Sequence, residues 1–221
     1  MPLTLLLAST SPARLSTLRS AGIEPLVAIA DVDEDTLLAA ILDSGNPSSP
    51  RDQVLALARA KADDVARRLV AAAARTPDLV LGCDSMLEID GIVVGKPGTP
   101  EVAVERWQQM RGRGGQLHTG HWLVDLRGAV AGAGFTELGR TSTTAVHFAD
   151  LTDEEIAAYV ATGEPLKVAG GFTVDGLGGP YITAIAGDHH GVVGLSLPLL
   201  RELLAAVGVP IHQLWSTTVD S

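Results

Sequence analysis

Apolar residues from Leu3 to Ala8 form a run broken only by Thr4, and it stops at Ser9-Thr10-Ser11-Pro12. That pattern predicts a buried strand feeding a helix, with Ser11 as N-cap and Pro12 at the first helical position. The helix is expected to reach Ala21 and stop at Gly22. Ile23 to Ile29 reads as a second strand, Asp31 to Asp35 as an acidic loop, and Ser44 to Pro50 as a Gly/Pro/Ser break. A long helix follows, from Arg51 to about Arg75, because Val54, Leu57, Ala58, Val65, Leu69 and Ala72 share one stripe at helical spacing. Leu79 to Cys83 is another apolar run of strand length. Met86 to Ile89 and Ile92 to Gly95 flank Asp90-Gly91, a strong hairpin signal.

Beyond the hairpin, Thr99-Pro100 opens a helix that ends near Gly112. Leu117 to Leu126 and Arg140 to Phe148 alternate as strands do, joined by a small, Gly-rich loop from Gly128 to Gly139. Thr152 with Glu155 is a capping box for a helix stopping at Gly163. Gly170 to Val174, Tyr181 to Ile185 and Val192 to Leu195 read as short strands or loops, and Pro198 to Val207 as a last amphipathic helix. Hairpins mixed with helical crossovers imply an α/β fold with a mixed sheet. The pattern contains no internal repeat and no linker, so residues 1–221 are read as one domain.

Composition narrows the function. The chain has 221 residues, 16 Lys and Arg against 26 Asp and Glu, and a net charge of −10. With 46 % hydrophobic residues it can bury a sizeable core. The acidic balance disfavours a general nucleic-acid binder. One cysteine excludes an intrachain disulfide and a cysteine-based zinc site. No apolar run is long enough to cross a membrane as a helix, and the first residues lack a basic leader, so a soluble protein of a reducing compartment is expected.

Four places break their local rule. The turn Ser9-Thr10-Ser11-Pro12-Ala13-Arg14 leads into a helix N-terminus, which exposes N–H groups and attracts anions. Arg14 is electrostatically misplaced there unless a negative group is bound; hydroxyls and guanidinium together suit a phosphate, and an ordinary cap with a solvated arginine is the alternative. Lys61 falls in the middle of the apolar stripe, where it either snorkels past the core edge or meets an anion in a polar cleft. Asp84 directly follows the apolar run Leu79 to Cys83, at the strand end where open α/β sheets bind ligands. A two-residue turn at Asp90-Gly91 sets Lys96 opposite Ser85 and beside Asp84; strict alternation puts Asp84 and Lys96 on opposite faces, and they converge only if Gly95 and Pro97 break the pleat. That pair could orient a metal or activate a water, or be a simple cross-strand ion pair. Glu34 closes the acidic loop; with Asp84 it could offer oxygen ligands to magnesium, or it could be merely solvated.

Other residues are discounted. Cys83 reads as a small core residue. His189-His190 match no metal spacing, Ser196 lacks the second glycine of a nucleophile elbow, and Arg111 to Gly115 lack the Walker lysine and hydroxyl.

Taken together, these stretches resemble the Maf-like nucleotide pyrophosphatases. Leu7-Ala8-Ser9-Thr10-Ser11-Pro12-Ala13-Arg14 resembles the family's LASxSPRR, Ala58-Arg59-Ala60-Lys61-Ala62 its LAxxKA, and Gly82-Cys83-Asp84-Ser85 falls at its ADT. Gly95-Lys96-Pro97 matches GKP, Tyr159 to Val174 resembles YVxxxEPxDKAGxYxI, and Val192 to Leu197 resembles VVGLPL. The resemblance implies a mixed, twisted β-sheet with flanking helices in two lobes around a cleft, similar to inosine-triphosphate pyrophosphatases. It implies cleavage of the α–β phosphoanhydride of a nucleoside triphosphate with a divalent cation, Mg2+ or Mn2+. It further implies a homodimer, and a cytoplasmic enzyme clearing modified nucleotides or adjusting a pool is expected. The net charge of −10 disfavours a nucleic-acid partner, and the lack of a membrane-length apolar run a membrane one. Asp84 would accept the proton of the attacking water, Arg14, Lys61 and Lys96 would meet the phosphates, Glu34 would be a metal or water ligand, and Ser9 and Ser11 would help the anion turn. A nucleotide-binding regulator of cell division without turnover is the rival. Three departures from the pattern bear on base preference: Ala13 replaces an arginine, Ser85 a threonine and Asp175 a glutamine. An acid at 175 leans towards a guanine-type or cytosine-type edge, because it only accepts hydrogen bonds.

Overall fold

The structure, a computed structural model, describes residues 3–43, 48–72, 77–128 and 134–216. Strand β1 (Leu5–Ala8) leads into α1 (Pro12–Ser20), capped by Ser11 with Pro12 in its first turn. Strand β2 is only Leu26–Ala28, shorter than the apolar run, because Ile23 instead bridges Trp215. The acidic stretch is not a loop throughout: Glu34–Asp43 is a helix, α2. The Asp33 carboxylate accepts from the backbone N–H and hydroxyl of Thr36, which starts that helix. Helix α3 spans Pro50–Ala71, with Ser49 and Asp52 forming a capping box. Its expected extension to Arg75 lies largely outside the described residues, as do residues 129–133 of the expected Gly128 to Gly139 loop.

The two strands expected around Asp84 are one, β3 (Leu79–Ile89). It turns at Asp90-Gly91 into β4 (Ile92–Val94), in the register the two-residue turn requires, Leu87 opposite Val94 and Ile89 opposite Ile92. Helix α4 (Pro100–Met110) and α5 (Asp153–Ala161) follow as expected, while the strands β5 (Gly114–Asp125) and β6 (Thr136–Phe148) start earlier than the alternation suggested, β6 taking the last four residues of the expected loop. Strand β7 is Ile182–Ala186. Val192 lies not in a strand but in the short helix α6 (His189–Val193), started by Asp188 accepting from the N–H groups of His190 and Gly191. Helix α7 (Leu197–Ala206) closes the order, capped by Ser196.

Among the described residues the strands form one mixed sheet in the order β2-β1-β3-β5-β6-β7, with β4 paired to β3. β1 runs parallel to β2 and β3, while β3–β4 and β6–β7 are antiparallel. The chain divides into two compact units. The first holds residues 1–84, 119–142 and 194–221; the second holds 85–118 and 143–193.

In the first unit β1 is apolar at every position because both faces are covered. Leu5 and Leu7 pack with Leu18 and the α7 leucines Leu200, Leu203 and Leu204. Leu6 and Ala8 pack with Ala62, Val65 and Ala66 of α3. In the second unit Trp107 is fully buried among Phe148, Tyr159 and Tyr181 in edge-on contacts at 5.7, 5.5 and 6.0 Å. Its indole N–H donates to the Gly171 carbonyl at 2.9 Å, which satisfies the only polar atom of that side chain. No helix among the described residues is long and apolar enough to cross a membrane.

Candidate active site

Two glycines let α3 lie against the sheet of the first unit. A Cβ on Gly82 of β3 would stand 2.1 Å from the Ala58 carbonyl, and one on Gly120 of β5 would stand 2.3 Å from that of Val54. No other residue fits there without moving the helix. The contact puts Lys61, one helical turn past Ala58, beside Asp84, two residues past Gly82 and on the same face of β3. Lys61 therefore does not snorkel. Its Nζ lies 2.6 Å from Asp84 Oδ1 and 2.8 Å from Glu34 Oε1. The lysine and aspartate side chains are only 12 % and 11 % exposed, and that of Glu34 is 40 % exposed. One ammonium thus gathers two carboxylates from α2 and β3.

The turn after β1 forms a second piece of the same unit. Ser9 Oγ accepts from the Ser11 N–H at 3.2 Å and from Arg14 Nη1 at 3.1 Å. Ser11 Oγ caps the Arg14 N–H. The Arg14 guanidinium also donates to the Cys83 carbonyl at 2.9 Å and, through Nε, to that of Gly194 at 2.8 Å. The apparent misplacement of Arg14 thus has a tertiary explanation, since its guanidinium donates to carbonyl oxygens of distant segments. The same bonds tie the Ser9–Ser11 turn to the peptide preceding Asp84. Ala13 sits half-buried in the first turn of α1, its carbonyl accepting from Thr17 Oγ1.

Cys83 is buried, and burial pushes its thiol up to about 12, so it is an inert core group. Ser196 is spent as the cap of α7, accepting from the Leu199 N–H at 3.1 Å. His189 and His190 open α6, with His190 paired to Asp188.

The remaining candidates lie in the second unit. Ser85 is half-buried on β3 immediately after Asp84. Lys96 is exposed just past β4, outside the ladder, which ends at Val94. The segment carrying it is anchored on both sides. Arg106 of α4 donates to the Gly95 carbonyl, and the Gly98 N–H donates to Leu166. Asp175 is exposed in a loop organised by Glu164, which reasoning from the residues alone missed. Glu164 accepts from the hydroxyls of Tyr159 and Thr173 and from the N–H groups of Leu177 and Gly178. Burial works to raise its pKa, and these hydrogen bonds outweigh burial and hold it below the usual carboxylate value. A glutamate directly before a proline in a glycine-rich stretch, where backbone N–H groups need acceptors, was the available signal.

Across residues 4–207 the sequence matches the family described as Maf-like protein. The chain belongs to that family. It is 53 % identical to the nucleoside triphosphate pyrophosphatase of Saccharopolyspora erythraea, over 96 % of this chain and 97 % of that one. It is 51 % identical to the protein of the same name from Leifsonia xyli, over 96 % of each chain, and 52 % to that from Nocardia farcinica, over 97 % and 98 %. Among solved structures, the Ham1 protein of Staphylococcus aureus aligns at a TM-score of 0.39 and 14 % identity, covering 66 % of this chain and 72 % of that one. The fold described above rests on the strand order, not on that alignment.

The donor set can be tested against a divalent cation. Among the described residues no three His, Cys, Asp or Glu side chains converge as a metal cage. Glu34 and Asp84 do converge, both on one cationic nitrogen. That set is too small for an all-protein cage and suits Mg2+ or Mn2+, which take one or two carboxylates and complete their shell with water and phosphate oxygens.

Proposed function

We propose that this Maf-like chain is a nucleoside triphosphate pyrophosphatase, splitting the α–β phosphoanhydride to release a nucleoside monophosphate and pyrophosphate with the help of Mg2+ or Mn2+. The observation that carries the reading is Lys61, an ammonium on a mostly apolar helix face, held between Asp84 and Glu34. Glu34 and Asp84 would hold the cation, which when bound neutralises phosphate charge and stabilises the leaving pyrophosphate.

The protein's own groups do the rest. Lys61 fixes Asp84 through Oδ1, so that the carboxylate has a set orientation from which to accept the proton of the attacking water. When a triphosphate enters, the same ammonium is placed to share its charge with a phosphate oxygen. Ser9 and Ser11 shape the anion turn at the start of α1, and Arg14 sets its positive charge behind that turn while holding it to the Cys83 carbonyl. Lys96 supplies the further cation. Preorganised cations of this kind act on charge that builds in the transition state. Ala13, Ser85 and Asp175 select the base. The enzyme works in the cytoplasm as a homodimer, clearing modified nucleotides.

The test is a panel of common and modified nucleoside triphosphates with Mg2+, Mn2+ or a chelator, assaying pyrophosphate and orthophosphate separately. Pyrophosphate plus monophosphate, lost on chelation and in Asp84→Asn, is the expected result. Orthophosphate alone would place the cleavage at the wrong bond. Nucleotide binding without turnover by the wild type would favour a regulatory protein instead.

A further inference from the structure

Within the second unit another set of chemically competent side chains meets. Glu88 on β3, His118 on β5 and Thr143 on β6 stand on three successive strands of the sheet. His118 Nε2 lies 2.8 Å from Glu88 Oε2, and His118 Nδ1 lies 2.9 Å from Thr143 Oγ1. The imidazole is almost wholly buried, at 4 % exposed, and the glutamate is 26 % exposed. Thr143 itself is exposed.

For the neutral imidazole the contacts select one tautomer. A carboxylate only accepts, so Nε2 carries the ring proton and donates to Glu88. Nδ1 then presents its lone pair, and the Thr143 hydroxyl donates to it. A surface threonine in a strand can bond to water and needs no such partner. Here its hydroxyl faces a buried base whose ring is oriented and polarised from behind by a carboxylate. Nucleophile to base to orienting carboxylate is the order of groups by which a hydroxyl is activated for attack on carbonyl carbon.

We propose that Thr143 is an acyl-accepting nucleophile, with His118 as its general base and Glu88 as the residue that positions the base. The substrate class is an activated carbonyl compound, an aryl ester or thioester. In the step, Thr143 Oγ1 bonds to the acyl carbon and its proton passes to His118 Nδ1. The tetrahedral adduct then collapses with loss of the phenolate or thiolate, which takes that proton. The product is an acyl-threonine ester on the protein. This activity is separate from the proposed pyrophosphatase, none of whose residues takes part.

The experiment exposes the whole chain to p-nitrophenyl acetate, follows p-nitrophenolate release, and maps the acetyl group by peptide mass spectrometry. One acetyl group on the Thr143 peptide is expected, absent in Thr143→Val. His118→Gln should slow its appearance about 100-fold or more, the usual worth of a positioned base. Glu88→Gln keeps the shape of the site and should also slow acylation, with the melting temperature measured beside it so that lost reactivity and lost fold are distinguished. Pyrophosphate release by Thr143→Val should match that of the wild type. Acetylation confined to lysines, or an unchanged rate at Thr143 in a folded Glu88→Gln, would overturn the proposal.

Discussion

Two carboxylate-centred clusters, one in each unit, solve the burial of negative charge in opposite ways. Around Glu164 four neutral donors converge on one carboxylate: two hydroxyls and two backbone N–H groups. Around Lys61 a single ammonium serves two carboxylates, Asp84 and Glu34. The first is a saturated set whose members come from a short stretch of chain, and it ties a loop into one conformation. The second is held by charge, from three elements far apart in sequence, and its partners could be exchanged for a phosphate oxygen or a cation. A carboxylate surrounded by neutral donors is built to stay put. Carboxylates sharing one cation are suited to turnover.

The largest effect should come from breaking the charged cluster. Lys61→Ala is expected to lower pyrophosphate release by about 100- to 1,000-fold, the range for losing a preorganised charge partner. Circular dichroism should show the fold retained, because the lysine head contacts only side chains. Turnover close to wild type would remove Lys61 from the site. Next, Gly82→Ala should separate the scaffold from the chemistry. Its Cβ would overlap the Ala58 carbonyl at 2.1 Å, so α3 must shift, at a cost of about 3 kcal/mol in denaturant unfolding. Activity should fall further than that stability loss explains, since Lys61 rides on the displaced helix.

In the other cluster the order reverses. Glu164→Leu strands the N–H groups of Leu177 and Gly178 and should cost about 2 kcal/mol of stability. Its effect on turnover should be smaller than that of Lys61→Ala and should appear mainly in nucleotide preference, through the loop that carries Asp175. The smallest effect is on acid stability. Glu164 has a folded-state value below its ordinary 4.5, so its contribution is complete above about pH 4.5 and is lost as pH falls through the lower folded value. The stability gap between wild type and Glu164→Gln should therefore be constant near neutrality and narrow below pH 4.5. A gap that persists in strong acid would show that the hydrogen bonds survive protonation.

How much of this was legible beforehand depended on the range of the interaction involved. Ser11 with Pro12, Thr99 with Pro100 and Thr152 with Glu155 fix helix starts through bonds three residues apart, and all three stand where the pattern put them. Asp90-Gly91 set the β3–β4 register, because both residues take the positive φ that its turn requires. By contrast, α2 went unseen, since acidic residues before an apolar run were read as solvated rather than as the start of a helix. Val192 was misplaced because a short apolar run is ambiguous between strand and helix, and Asp188, four residues before the expected element, decides for helix.

The site divides along the same line. Sequence alone picked out Asp84, Lys61, Arg14 and Glu34, each a charged residue whose position broke the pattern around it. That anomaly is local information, carried by periodicity and by helix-end electrostatics. Which groups meet is not local. Lys61 reaches Asp84 only because two glycines let α3 touch β3 and β5. Arg14 donates to a carbonyl 180 residues away in the chain. Glu164 finds donors only when its own loop folds back onto it. Backbone preference and side-chain period act over a few residues and were sufficient for the elements; close packing between distant segments, which no local pattern encodes, decided which charges became partners.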